Sequence, residues 1–95
     1  MKLVRDNIPE LAPQRSYHQA RPLEKLQLLR LKLIEEAVEL ATAGPGDAFL
    51  EELADVAEVL ATLVEAHGYT VAEVSEARIA KAAKRGLFEE GWVLE

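Results

Sequence analysis

Cysteine is absent from this 95-residue chain, which excludes disulfides and thiolate metal ligation and leaves the redox compartment unreadable. Aromatic side chains are scarce, with one Trp, two Tyr and two Phe. Tyr17 and Trp92, with His18, are therefore the few groups able to stack on a ligand base, and packing is the commoner use of each. There are only two histidines, and neither sits in a recognisable nucleophilic triad. His67, just before Gly68, reads as a helix-capping residue. No apolar run approaches the roughly 18 residues of a membrane span, and the first residues lack the apolar core of a secretion signal, so a cytoplasmic location without membrane contact is the expectation. Basic residues are outnumbered, 11 against 17 acids for a net charge of -6, which argues against a nucleic-acid polymer as partner. What remains is an ordinary composition for a folded domain, 49% hydrophobic and 29% charged.

Prolines and glycines divide the chain as a single domain, residues 1–95. Residues 1–21 carry Pro9 and Pro13 and read as an irregular arm with at most one helical turn near Ile8 to Leu11. Pro22 suits the first turn of a helix that keeps its periodicity to the stop at Gly44, giving a helix over 22–43. Asp47 is placed to cap a second helix over 48–67, with Gly68 as its stop. Thr70 and Glu73 have capping-box spacing, so a third helix is predicted over 71–85, ending at Gly86. Residues 87–95 are expected to pack as an extended tail. No strand pattern or internal repeat occurs, and the fold class is all-α, a helical hairpin plus a third helix. Leu26, Leu28, Leu29, Leu31, Leu33, Ile34, Val38 and Leu40 point in most directions around the first helix. One short chain cannot cover them all, so helices of two or more copies are expected to combine into a multi-helix bundle.

Two acids interrupt the apolar stripes. Glu36 stands in Leu29, Leu33, Glu36, Leu40, and Glu52 stands in Phe49, Glu52, Val56, Val59, Leu63. Each has a second acid three residues on, Glu39 and Asp55. Residues equidistant from a turn lie level in an antiparallel hairpin, and the turn here is Gly44-Pro45-Gly46. Glu39 is thus expected opposite Glu52, and Glu36 opposite Asp55. Four level carboxylates on a mostly apolar interface repel and are costly to desolvate, so a compensating cation is required. Mg²⁺, with Mn²⁺ as a chemically similar substitute, takes oxygen ligands and shares its coordination with substrate phosphates, which points to a nucleotide or diphosphate. Salt bridges from Lys32 are the alternative compensation.

Glu35-Glu36-x-x-Glu39 followed by Glu52-x-x-Asp55 resembles the signature of the all-α NTP pyrophosphohydrolases, the MazG-like superfamily. The opening Lys2-Leu3-Val4-Arg5-Asp6-Asn7-Ile8-Pro9-Glu10 and the closing Lys84-Arg85-Gly86-Leu87-Phe88-Glu89 look like the two ends of its small phosphoribosyl-ATP pyrophosphohydrolase-like subfamily. The resemblance implies Mg²⁺-dependent cleavage of a nucleoside triphosphate between the α and β phosphates, releasing the monophosphate and pyrophosphate. It matches Glu36, Glu39, Glu52 and Asp55 to metal ligands and Glu35 to a catalytic position. On a helix Glu35 points about 100° from Glu36, which casts it as an outer residue that orients or deprotonates the attacking water. Such chemistry needs positioned charge and no side-chain nucleophile.

Phosphates need cations, and Lys2, Arg5, Lys32, Lys81, Lys84 and Arg85 are the candidates. Lys32, Lys81 and Arg85 rank first: Lys32 is one turn from Glu36, and Lys81 and Arg85 are four apart. Basic residues in a last helical turn also simply complement its dipole. Arg5 and Asp6 either line a base or ribose pocket or pin the arm. Asn7, where a lysine is common, and Leu87, where a second glycine is common, depart from the subfamily without touching the metal ligands. True phosphoribosyl-ATP pyrophosphohydrolase of histidine biosynthesis is disfavoured, because a Tyr-His pair expected after the second acid motif is replaced by Val56-Ala57-Glu58-Val59-Leu60. House-cleaning of surplus or damaged nucleotides fits better. A non-catalytic dimerisation or regulatory module, with the acids bridged to Lys32 and Arg85, is the reading from another class.

Overall fold

A computed structural model describing Met1–Glu95 contains four α-helices and no strand: α1 (Ile8–Leu11), α2 (Pro22–Thr42), α3 (Asp47–Ala66) and α4 (Val71–Arg85). The chain is all-α. Pro22 opens α2, where its missing N–H costs nothing, and the Glu24 carboxylate accepts from the Arg21 N–H at 3.3 Å. Helix α2 ends at Thr42, whose hydroxyl donates to the Val38 carbonyl at 2.8 Å.

Asp47, expected as the cap of the next helix, is instead its first helical residue. Gly46 takes the cap position with φ 91, a left-handed conformation that favours glycine, and no side chain caps this end. Asp47 still complements the positive end of the helix from the first turn. At the other end His67 Nδ1 lies 3.0 Å from the Leu63 carbonyl, so this histidine caps its helix as its position suggested. Thr70 and Glu73 form a capping box: the Glu73 N–H donates to Thr70 Oγ1 at 3.1 Å, and the Thr70 N–H donates to Glu73 Oε1 at 3.0 Å.

Helices α2 and α3 form a hairpin whose pairing runs antiparallel, because Leu29 shares a cavity wall with Thr62 while Glu36 meets Asp55 nearer the turn. Burial inside the hairpin is slight. Leu29 and Val59 are the only buried apolar residues, and Glu36 is buried with them. Helix α4 touches only α3.

The Cα radius of gyration is 16.5 Å, against about 12 Å for a globule of this length. Accessible surface is 8554 Å², against roughly 5,400 Å² from the mass scaling of monomeric proteins. Part of the excess belongs to the arm and the tail. The tail does not pack as expected, since Phe88, Trp92, Val93 and Leu94 are all highly exposed. The rest lies on apolar stripes of the helices. Leu23, Leu31, Ile34 and Val38 are exposed on the side of α2 opposite Glu36, and Leu50, Leu53 and Leu60 are exposed on the outer side of α3.

Candidate functional site

The hairpin brings Glu36, Glu52 and Asp55 together, each offering a carboxylate oxygen within 4.8 Å of the other two. The spacing of three on α3 puts Glu52 and Asp55 on adjacent turns of one face, and Glu36 reaches them from the middle of the facing α2 stripe. Glu36 is 6% exposed. One of its oxygens meets Lys32 Nζ at 3.2 Å, while Oε2 is buried with no hydrogen-bond partner. Glu52 Oε2 is buried and unpartnered as well. Two orphaned anionic oxygens in one place are costly unless something accepts their lone pairs.

Glu39 departs from the expected register. It is exposed, and its carboxylate joins those of Glu35 and Glu36 rather than the inner trio. Near the tip Leu40 and Ala43 are half-buried, while Glu39 is exposed.

Three cations meet the acids. Lys32 Nζ is shared between Glu36 Oε1 at 3.2 Å and Glu35 Oε2 at 3.4 Å, a one-turn arrangement along α2. Lys2 Nζ reaches Glu35 Oε1 at 3.4 Å. Arg5 donates from Nη2 to Asp55 Oδ1 at 2.6 Å. Partial burial pulls the Lys32 ammonium down, but the Glu36 hydrogen bond and the charges of Glu35 and Glu36 more than offset this, and its pKa is raised. Burial pushes the Glu35 carboxyl up, and the charges of Lys32 and Lys2, with their hydrogen bonds, outweigh it and hold its pKa below the ordinary value. The Asp55 hydrogen bond raises the Arg5 pKa, supported by the charges of Asp55, Glu58 and Glu36.

An open cavity of about 430 Å³ adjoins the trio. The arm contributes Leu3, Val4, Arg5 and Asp6, and the hairpin contributes Lys25, Leu29, Lys32, Glu36, Asp55, Glu58, Val59, Thr62 and Glu65. It thus begins at carboxylates and cations and continues along the groove between α2 and α3.

Of the cations ranked first in sequence, Lys32 lines this cavity and Lys81 and Arg85 do not. They lie exposed on α4 and make no ion pair. Arg5 and Lys2, given lower rank, are the ones brought to the acids. Tyr17 is turned to its own arm, donating to the Ala12 carbonyl at 2.8 Å, and His18 pairs with Glu24 at 3.1 Å, so neither faces the cavity. Trp92 is exposed on the tail. Lys25, Glu58, Thr62 and Glu65 were missed, although their signal was available. Lys25, Leu29, Lys32 and Glu36 continue one face of α2 in steps of three and four, as do Asp55, Glu58 or Val59, Thr62 and Glu65 on α3.

The chemistry of the donor set fits a hard divalent cation. It is all oxygen, anionic, converges from two rigid helices, and includes two buried oxygens without partners. The exposed side opens on the cavity, where a ligand's own oxygens can complete the coordination. Comparison of the chain with protein-family models, with curated proteins and with solved structures finds no match.

Proposed function

We propose that this chain is a Mg²⁺-dependent nucleoside triphosphate pyrophosphohydrolase of the MazG-like kind, cleaving between the α and β phosphates and serving to clear surplus or damaged nucleotides. The observation that carries the reading is the pair of buried, unpartnered oxygens on Glu36 and Glu52, set beside Asp55 at the mouth of a cavity that also holds Lys32 and Arg5.

Glu36, Glu52 and Asp55 would hold the cation, while Glu39, grouped with Glu35 and Glu36 on the rim, lies outside that set. Bound Mg²⁺ supplies neutralising charge to the phosphates and activation of the attacking water. Lys32, fixed by Glu35 and Glu36, presents its remaining donor capacity to the phosphates. Arg5 adds a planar fork suited to phosphate oxygens. Glu35 is held by two lysines, and its lowered pKa keeps it ionised at neutral pH. That makes it a weak base and a good hydrogen-bond acceptor, so it orients water more than it deprotonates it. Lys81 and Arg85 have no role within this chain's own site.

Self-association belongs to the same proposal. The exposed apolar stripes of α2 and α3, and a surface exceeding the monomer expectation by about 3,000 Å² of which arm and tail account for part, leave apolar area for a partner to bury. A second copy of the hairpin is the natural cover. Light scattering after gel filtration is expected to give a dimer or tetramer, and a monodisperse monomer would refute this part.

Pyrophosphate release from a panel of canonical and modified NTPs, with and without Mg²⁺, tests the activity. Metal-dependent release from part of the panel is expected. Including phosphoribosyl-ATP, and supplying the chain to a histidine auxotroph lacking that step, tests the disfavoured biosynthetic activity, which restored growth would favour.

A non-catalytic helical module is the second reading, and the ion pairs of Lys2, Lys32 and Arg5 with the acids favour it. The pairing it needs from Arg85 is not formed. It requires that no member of the panel be cleaved and that Mg²⁺ leave the protein's stability unchanged.

A further inference from the structure

Arg5 is the one cation that reaches the inner carboxylates from outside the hairpin, and it lies 50 residues before its partner in sequence. It sits on a stretch without helical structure, five residues from the first residue of the arm's anchor at Leu3 and Val4 to the start of α1 at Ile8. Leu3 and Val4 are half-buried against the cavity and tether this stretch, while the Arg5 side chain is 57% exposed. The backbone is thus held near the site and the guanidinium is free to change partners.

Its present partner, Asp55 Oδ1, belongs to the trio in which Glu36 and Glu52 keep unpartnered oxygens. A guanidinium 2.6 Å from a carboxylate oxygen occupies lone pairs that a cation would need. We infer that Arg5 is an internal counter-ion that competes with the divalent cation for Asp55, and that it passes to the ligand's phosphates when the cation takes its place. This rests on the reading of the trio as a cation site.

The released guanidinium faces the cavity, because Arg5 already lines it together with Lys32. A planar fork of donors then meets phosphate oxygens arriving with the cation, so one residue opposes cation binding without ligand and favours it with ligand. Linkage makes the opposition reciprocal: whatever Arg5 costs the cation, the cation costs the attachment of Arg5. The consequence is selectivity for a cation arriving with a polyphosphate over the free ion.

The test is direct binding of Mn²⁺, followed by electron paramagnetic resonance, to the full chain and to Arg5→Gln, with Asp55→Asn as the control that removes the ligand itself. Each is measured alone and with a nonhydrolysable α,β-methylene triphosphate. An ion pair this exposed contributes little, so Arg5→Gln is expected to bind free Mn²⁺ about three- to fivefold more tightly than wild type. In the presence of the triphosphate it is expected to bind the analogue more weakly, by a similar or larger factor. Trypsin cleavage after Arg5 is expected to quicken in wild type on adding Mn²⁺ alone. If neither wild type nor Arg5→Gln binds Mn²⁺, alone or with the triphosphate, the cation site itself is overturned. If wild type binds Mn²⁺ and Arg5→Gln binds it equally or less tightly, only the competition is overturned. Circular dichroism verifies that Arg5→Gln folds, and Arg5→Lys, which keeps the charge and loses the fork, replaces it otherwise. Arg5→Lys is expected to retain part of the competition and lose most of the analogue affinity, and retention of full analogue affinity would refute the transfer to phosphate.

Discussion

Replacing Glu36 with Gln makes the charge crowding at the site measurable. Glu36 offers an oxygen within 4.8 Å of those of both Glu52 and Asp55. At an effective dielectric of about 20, each of these like-charge pairs repels by about 3.5 kcal/mol or more, so roughly 7 kcal/mol bears on the Glu36 charge. The attraction to Lys32 at 3.2 Å returns about 5 kcal/mol on the same scale. Glutamine has nearly the same shape, keeps an acceptor for Lys32 and carries no charge to desolvate. Without divalent cation, Glu36→Gln is therefore expected to be about 1–2 kcal/mol more stable than wild type, a rise of roughly 5–15 °C in melting temperature for a domain of this size. With Mg²⁺ the order reverses. Wild type gains about 2.7 kcal/mol at a concentration 100 times the dissociation constant, and the variant, missing a ligand, gains little. Thermal unfolding by circular dichroism at one protein concentration, with EDTA and with Mg²⁺, gives both numbers. A melting temperature for Glu36→Gln well below wild type in EDTA, or an equal Mg²⁺ shift in the two proteins, would refute the reasoning and leave Glu36 a salt-bridged structural residue.

Leu29 is 2% exposed and anchors the hairpin, so Leu29→Ala is expected to lose about 2–5 kcal/mol in denaturant unfolding; a loss below 1 kcal/mol would mean that the hairpin core lies elsewhere. Ile34, 61% exposed on the outer stripe of α2, is expected to break self-association when changed to Glu, read as a fall in mass by light scattering with helicity kept, and an unchanged mass would place the contact on another face. The pH dependence follows from Glu35. Its folded pKa lies below its unfolded one, so the stability it contributes is complete above the unfolded value and is lost as pH falls through the folded value. Lys32 works the other way: its raised pKa contributes stability that is complete below the unfolded lysine value and is lost as pH rises through the folded one. A plateau between about pH 5 and 10 is expected for this pair, with the acid-side loss held below about 1 kcal/mol by solvent screening of the exposed partners. Unchanged acid-side loss in Glu35→Gln would remove Glu35 as its source.

Helical periodicity and stop signals made α2, α3 and α4 legible from the sequence, because each is specified locally by a proline, a cap or a glycine. The capping box of Thr70 and Glu73 is the clearest case, since both of its hydrogen bonds lie within four residues. The start of α3 was read less well. An acid before an apolar stripe looks the same as a cap or as a first-turn residue, and only the backbone at Gly46 distinguishes the two. The meeting of Glu36 with Asp55 was legible because reflection about a short turn is nearly rigid. Glu39 lies one turn nearer the tip, where it is exposed and grouped with Glu35 and Glu36 along α2 rather than with the inner trio.

The cations were hardest to read, and the physical reason bears on the whole site. Lys32 was found because its distance from Glu36 is fixed by one helical turn. Lys81 and Arg85 were favoured by the same helical spacing, but spacing along a helix says nothing about where that helix lies. Helix α4 leaves the hairpin after Gly68 and Tyr69 and never brings them back. Arg5 has no periodic signal, because it belongs to an arm whose path is set by Leu3 and Val4 settling on the hairpin and by Asp55 drawing its charge. Residues placed by helix geometry thus form the rigid, anionic half of the site, and the arm supplies Arg5 to the inner trio and Lys2 to Glu35 from outside the hairpin. A site built this way has its acids fixed before any ligand arrives, while the guanidinium that neutralises one of them remains exchangeable. Removal of the arm through Arg5 is accordingly expected to keep the acidic trio assembled and to change only what balances the charge of the site.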